Sequence, residues 1–96
     1  MRGGLDSPPV DDTISVYVID DTDHVRRMLT TMLTLDGFEV VGGAGDGTTA
    51  LAEMSSHDPQ VVVVDYKMPA LDGLATAREI KAQRPGQHVI IYSAFL

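Results

Sequence analysis

Four side chains that could do chemistry stand at comparable places in the chain. Asp20 and Asp21 follow one apolar run, Asp65 closes a run of four valines, and Ser93 follows a third apolar run. Three carboxylates gathered in one half-buried crevice repel one another unless a cation neutralises them. An oxygen-only donor set without His or Cys suits a hard ion, Mg2+ or Mn2+, which keeps several waters and takes one or two carboxylates. A carboxylate beside such an ion can act as a nucleophile toward phosphorus and form an aspartyl phosphate. The cation would then stabilise charge on the transferring phosphoryl oxygens. Any single Asp after a strand is also a common turn former or helix cap. What raises these above caps is that three separate runs end in the same way.

The elements that must position them read as follows. Ile14–Ile19 is β-branched and aromatic and reads as a buried strand. Val25, Met28, Leu29, Met32 and Leu33 fall at i, i+3, i+4, i+7 and i+8, an amphipathic helix that Thr22 or Asp23 can cap and Gly37 can end. Phe38–Val41 reads as a second strand, released by Gly42, Gly43 and Gly45 into a flexible loop. Asp46 caps a short helix with Ala50, Leu51 and Met54 inward, stopped by Asp58 and Pro59. Val61–Val64 suits a strand buried on both faces, the habit of parallel sheets. Asp72 caps a third helix with Leu74, Ala77 and Ile80 inward, ended by Pro85 and Gly86, and Val89–Tyr92 is a fourth strand. The order βαβαβαβ predicts an α/β domain with a parallel sheet. In such sheets ligands bind beyond the carboxyl ends of the strands, where Asp20, Asp21, Asp65 and Ser93 all fall.

Composition narrows the classes further. The chain has 96 residues, enough for one domain, with 14 acidic against 7 basic residues and a net charge of −7. That balance repels phosphate backbones, so no nucleic-acid binding is expected of this segment. With no cysteine there is neither a disulfide nor a thiol nucleophile. No apolar run approaches the ~18 residues of a membrane helix, and the N-terminus has no signal-peptide core, so a soluble cytoplasmic domain is expected. Residues 1–13 carry Gly3, Gly4, Pro8 and Pro9 without apolar period and read as a disordered tail; residues 14–96 form the domain. The stretch from Gly42 to Gly47 fails the GxGxxG spacing of a dinucleotide loop. His24, His57 and His88 lack metal-ligand spacing, and Met28, Met32 and Met54 fall on helix core faces.

These residues also carry a family pattern. From Ile14 to Leu96 the chain resembles the receiver domain of two-component response regulators. The landmarks are Asp20-Asp21, Asp65 after the valine run, Lys67-Met68-Pro69-Ala70-Leu71-Asp72-Gly73, and Ser93-Ala94. The resemblance implies a flavodoxin-like, doubly wound parallel sheet in the order 2-1-3-4. It implies Asp65 as phosphoacceptor, Asp21 binding Mg2+ directly, Asp20 largely through water, and Lys67 through its backbone carbonyl. Ser93 would hydrogen-bond the phosphoryl group, helped by the Ala94 backbone N–H. The donor would be a phosphohistidine on a sensor histidine kinase or a histidine phosphotransfer protein.

The family's full pattern has five strands, and this chain is read as incomplete: it stops after the fourth, without the last strand and last two helices. The Lys and the aromatic switch residue that the fifth strand carries in the family go with them. Lys67 is a candidate for part of that missing charge. Four strands span about 19 Å at ~4.8 Å spacing, whereas one helix is ~10 Å across. One helix therefore leaves half its face bare, and strand four becomes an open edge, which predicts that the chain self-associates through strand four and the bare face or is only marginally folded. The leading reading is a phosphorylation-switched module rather than an enzyme. Its rivals are a Mg2+-dependent phosphohydrolase with an aspartyl-phosphate intermediate and a phosphorylation-independent interaction domain.

Overall fold

The structure, a computed structural model, describes residues 2–3, 5–6, 13–69 and 71–93. Four strands, β1 (Ser15–Ile19), β2 (Glu39–Ala44), β3 (Val61–Asp65) and β4 (His88–Tyr92), alternate with three helices, α1 (Asp23–Leu35), α2 (Gly47–His57) and α3 (Gly73–Gln83). All pairings are parallel and the spatial order is β2-β1-β3-β4, the expected 2-1-3-4 sheet. Most of the stretch read as a tail lies outside the described residues; Arg2–Gly3 and Leu5–Asp6 pair with each other and do not join this sheet.

Local chemistry sets the helix starts. The Asp46 carboxylate accepts from the Thr49 N–H at 2.7 Å and that of Asp72 from the Ala75 N–H at 2.8 Å, satisfying first-turn donors as N-caps do. Thr22 precedes α1 but its side chain makes no capping bond. α2 ends at Asp58, which takes the left-handed conformation ahead of Pro59.

The main core lies between the sheet and the α2–α3 layer. Tyr17, Ile19, Val62 and Val64 alternate toward it and meet Ala44, Ala50, Met54, Met68 and Ile80. The opposite face is covered by α1 alone among the described residues, and α1 lies over β1 and β2, not over β3 and β4. One row across the sheet shows the result. Val18, Val63 and Ile90 are register partners, and exposure rises from 0% at Val18 through half-buried Val63 to 55% at Ile90.

Four expectations are corrected. Phe38–Val41 is not the whole second strand: β2 runs through the glycines to Ala44, with a register irregularity between Val40 and Gly42. Gly42 and Gly43 are thus strand residues chosen for close approach. A Cβ on Gly42 would lie 3.0 Å from the Tyr17 ring and 3.1 Å from His57, and one on Gly43 would lie 2.9 Å from the Val18 carbonyl oxygen. Met28 and Met32 are not core residues, with exposures of 48% and 55%, because nothing described packs beyond α1 on that side. Leu74 is exposed, the inner face of α3 being Gly73, Thr76, Ala77 and Ile80. The valine run has one fully buried face, Val62 and Val64, while Val61 and Val63 are half-buried.

Candidate functional site

Parallel register brings the carboxyl ends of β1 and β3 side by side, so Asp20, Asp21 and Asp65 converge. One oxygen from each lies within 4.8 Å of the others. Asp20 shares the parity of Val16 and Val18, and Asp65 that of Val61 and Val63, so both carboxylates start on the α1 side of the sheet.

Asp20 is only 2% exposed yet its polar atoms are well supplied. Its N–H donates to the Ala44 carbonyl at 3.1 Å, and its carbonyl accepts from Arg26 Nη1 at 2.6 Å. Its Oδ1 accepts from the Thr22 N–H at 2.8 Å, and its Oδ2 accepts from the Tyr92 hydroxyl. Asp21 is exposed and Asp65 half-buried. Asp65 Oδ1 accepts from the Lys67 backbone N–H at 3.3 Å. Burial, and then the charges of Asp20 and Asp21, push the Asp65 carboxyl above its ordinary pKa, although the Lys67 N–H acts in the opposite direction. Three converging carboxylates leave surplus negative charge there, and the donors are all hard oxygens. Both properties fit a divalent cation such as Mg2+.

The loop after β3 is anchored to the site by a close contact. Gly73 N–H donates to the Tyr66 carbonyl at 2.9 Å, and a Cβ at Gly73 would lie 2.2 Å from the Asp65 carbonyl oxygen. Only glycine lets α3 begin so close to the end of β3. Lys67 is exposed, and the contact that reaches Asp65 comes from its backbone N–H. Ser93 follows β4 directly and is half-buried. Ala94 lies outside the described residues.

Two participants escaped the sequence reading. Tyr92 reads there as a strand residue, but its phenol reaches Asp20; burial and its hydrogen bond to Asp20 hold the hydroxyl well above the ordinary tyrosine pKa. Its signal was positional, since it precedes Ser93 and shares parity with Asp65. Arg26 reaches back from the first turn of α1 to the Asp20 carbonyl and also pairs with Asp23. Farther from the acids, the Tyr17 hydroxyl donates to Glu53 at 2.8 Å beside His57, whose ring centroid is 5.4 Å from that of Tyr17. His57 thus packs on Tyr17. His24 is exposed at the start of α1.

An open 2-1-3-4 parallel sheet with a carboxylate trio on its carboxyl edge defines the class, a doubly wound α/β domain with a candidate divalent-cation site. Comparison with known proteins gives the family. The response regulator receiver domain model matches residues 16–96, and the chain belongs to that family. A protein-glutamate methylesterase/protein-glutamine glutaminase of Symbiobacterium thermophilum is 43% identical over 81 residues, covering 83% of this chain and 22% of that protein. The regulatory protein AtoC of Escherichia coli is 38% identical over 80 residues, covering 83% of this chain and 17% of AtoC. The chain therefore spans about a fifth of the length of these relatives, and what it shares with them is the receiver segment. Among solved structures, the signal receiver domain of NarL from Mycobacterium tuberculosis superposes with a TM-score of 0.78 at 33% identity, covering 88% of this chain and 68% of that one. CheY in its complex with CheX, BeF3 and Mg2+ from Borrelia burgdorferi superposes at 0.80 with 28% identity, covering 85% and 63%.

Proposed function

We propose that the chain accepts a phosphoryl group on Asp65 and works as a switch in a two-component phosphorelay. The observation that carries this is the half-buried Asp65 beside Asp20 and Asp21, its carboxyl pKa raised first by burial and then by both charges. An ionised carboxylate so placed can act as a nucleophile toward phosphorus. An Asp65 oxygen would attack phosphorus, the P–N bond of a phosphohistidine would break, and the imidazole would leave on a sensor kinase or phosphotransfer protein. Asp20, Asp21 and Asp65 would hold Mg2+, with Mn2+ as a substitute, and the Lys67 carbonyl is the fourth protein ligand proposed. The ion supplies neutralisation of charge on the phosphoryl oxygens. Ser93 would hydrogen-bond the phosphoryl group, assisted by the Ala94 N–H, and the Lys67 ammonium would add positive charge at the mouth. The product biases a conformational equilibrium rather than being turned over. The chain carries no described helix long and apolar enough to cross a membrane, in keeping with a cytoplasmic switch.

The test is incubation with phosphoryl-labelled acetyl phosphate and Mg2+, comparing the parent with Asp65→Asn. Here the carboxylate–phosphorus bond forms and acetate leaves. Near-stoichiometric label on the parent and none on Asp65→Asn is expected. Steady release of phosphate would instead indicate a phosphohydrolase. Neither label nor release would indicate a phosphorylation-independent interaction domain.

A further inference from the structure

We propose that Tyr92 is a positioning residue whose hydroxyl competes with the divalent cation for Asp20, a latch that ties the end of β4 to the acidic site. The inference rests on the phosphoacceptor reading of that site.

The sheet geometry puts the phenol there. Val18, Val63 and Ile90 form one row of register partners, and two residues further on each strand stand Asp20, Asp65 and Tyr92. Asp65 and Tyr92 are themselves register partners, and the Tyr66 N–H donates to the Tyr92 carbonyl at 2.8 Å. Tyr92 and Asp20 are therefore two strand spacings apart, about 9–10 Å at ~4.8 Å each. The Tyr92 hydroxyl bonds Asp20 Oδ2, so its ring has to cross the end of β3 where Asp65 stands. The hydroxyl thus approaches Asp20 from the Asp65 side, the side on which an ion shared by the two carboxylates would sit.

Asp20 has little spare capacity. It is 2% exposed, and Thr22 N–H already occupies Oδ1. A buried carboxylate in that position needs a donor at the other oxygen. Tyr92 provides a neutral one, which satisfies Asp20 but leaves the charge of the trio intact. A dication satisfies the oxygen and also cancels charge, so it displaces the phenol once its concentration suffices. Ser93 is covalently next to Tyr92, so release of the phenol frees the strand end that carries the residue proposed to meet the phosphoryl group. Cation occupancy and Ser93 placement are coupled through one hydroxyl.

Isothermal titration of Mg2+ into the full chain and into Tyr92→Phe tests this, with Tyr92→Leu as a second variant lacking the hydroxyl. Circular-dichroism melts confirm that each is folded. Both variants should bind Mg2+ about tenfold more tightly, equivalent to ~1.4 kcal/mol, because a competing hydrogen bond to a charged group has been removed. Mg2+ should also perturb near-ultraviolet tyrosine absorbance more in the parent than in Tyr92→Phe. Equal or weaker binding by the variants, with saturable binding by the parent, overturns the latch and leaves the phosphoacceptor reading standing. No Mg2+ binding by any of the three overturns both.

Discussion

Replacing Asp65 with Asn removes one member of the carboxylate trio while keeping its shape, and it should make the protein more stable. One oxygen each of Asp20, Asp21 and Asp65 lies within 4.8 Å of the others. Two unit charges at that spacing repel by about 0.9 kcal/mol in bulk water and about 3.5 kcal/mol at an effective dielectric of ~20. Asp21 is exposed, and the Thr22 N–H and Tyr92 hydroxyl offset part of the charge of buried Asp20, so the lower value is taken as the conservative one. Two neighbours then give about 1–2 kcal/mol in all. For a domain of this size that raises Tm by roughly 5–15 °C. The pH dependence has a definite sign. Burial and the two acids raise the Asp65 carboxyl pKa in the folded state, so the fold binds this proton more tightly than the unfolded chain does. The parent therefore carries the full penalty above the folded pKa and sheds it as pH falls through that value toward the ordinary ~3.9. The gap between Asp65→Asn and parent should be complete at neutral pH and close in acid. Mg2+ should close it from the other side, stabilising the parent by about 2.7 kcal/mol at a hundredfold excess over Kd. Thermal melts in low salt with a chelator, repeated across pH and then with Mg2+, measure all three. An Asp65→Asn protein that melts at or below the parent at neutral pH would refute the reasoning.

Two further predictions concern the scaffold. Gly73→Ala places a methyl 2.2 Å from the Asp65 carbonyl oxygen, so either α3 or the end of β3 must shift. We expect at least about 2 kcal/mol of destabilisation and weaker beryllofluoride binding, read by urea unfolding and calorimetry; a neutral Gly73→Ala would mean the contact relaxes freely. Ile90, 55% exposed on the half of the α1 side that no described residue covers, should drive association of copies together with the β4 edge, unpaired among the described residues. Sedimentation velocity should show concentration-dependent association that Ile90→Lys abolishes, and a parent that stays monomeric throughout would dispose of the idea.

The part of the site carried by local pattern is legible in the sequence. Asp20, Asp21 and Asp65 are recognisable because each ends an apolar run, and parallel order alone puts such ends on one edge. Asp46 and Asp72 announce their caps by position. Tyr92 was not legible in this way, because its role depends on a side chain crossing a neighbouring strand. No one-dimensional periodicity records that reach. Gly42 and Gly43 misled for a related reason. Glycine after a strand ordinarily signals a turn, whereas here Tyr17, His57 and the Val18 carbonyl come so close that only glycine fits inside the strand.

The exposed methionines show what periodicity does and does not report. Val25, Met28, Leu29, Met32 and Leu33 describe the face α1 is built to bury, and that face is present, with Val25, Leu29 and Leu33 half-buried. Whether the rest is buried is a property of other elements, and α1 reaches only β1 and β2. The same shortfall governs the row through Val18, Val63 and Ile90, closed at one end and open at the other. Two residues along, that row becomes Asp20, Asp65 and Tyr92. The acidic site therefore sits at the end of the less covered face, next to its exposed edge. A phenol that spans this row, from the edge strand to the most buried carboxylate, links the least covered part of the described sheet to the most charged.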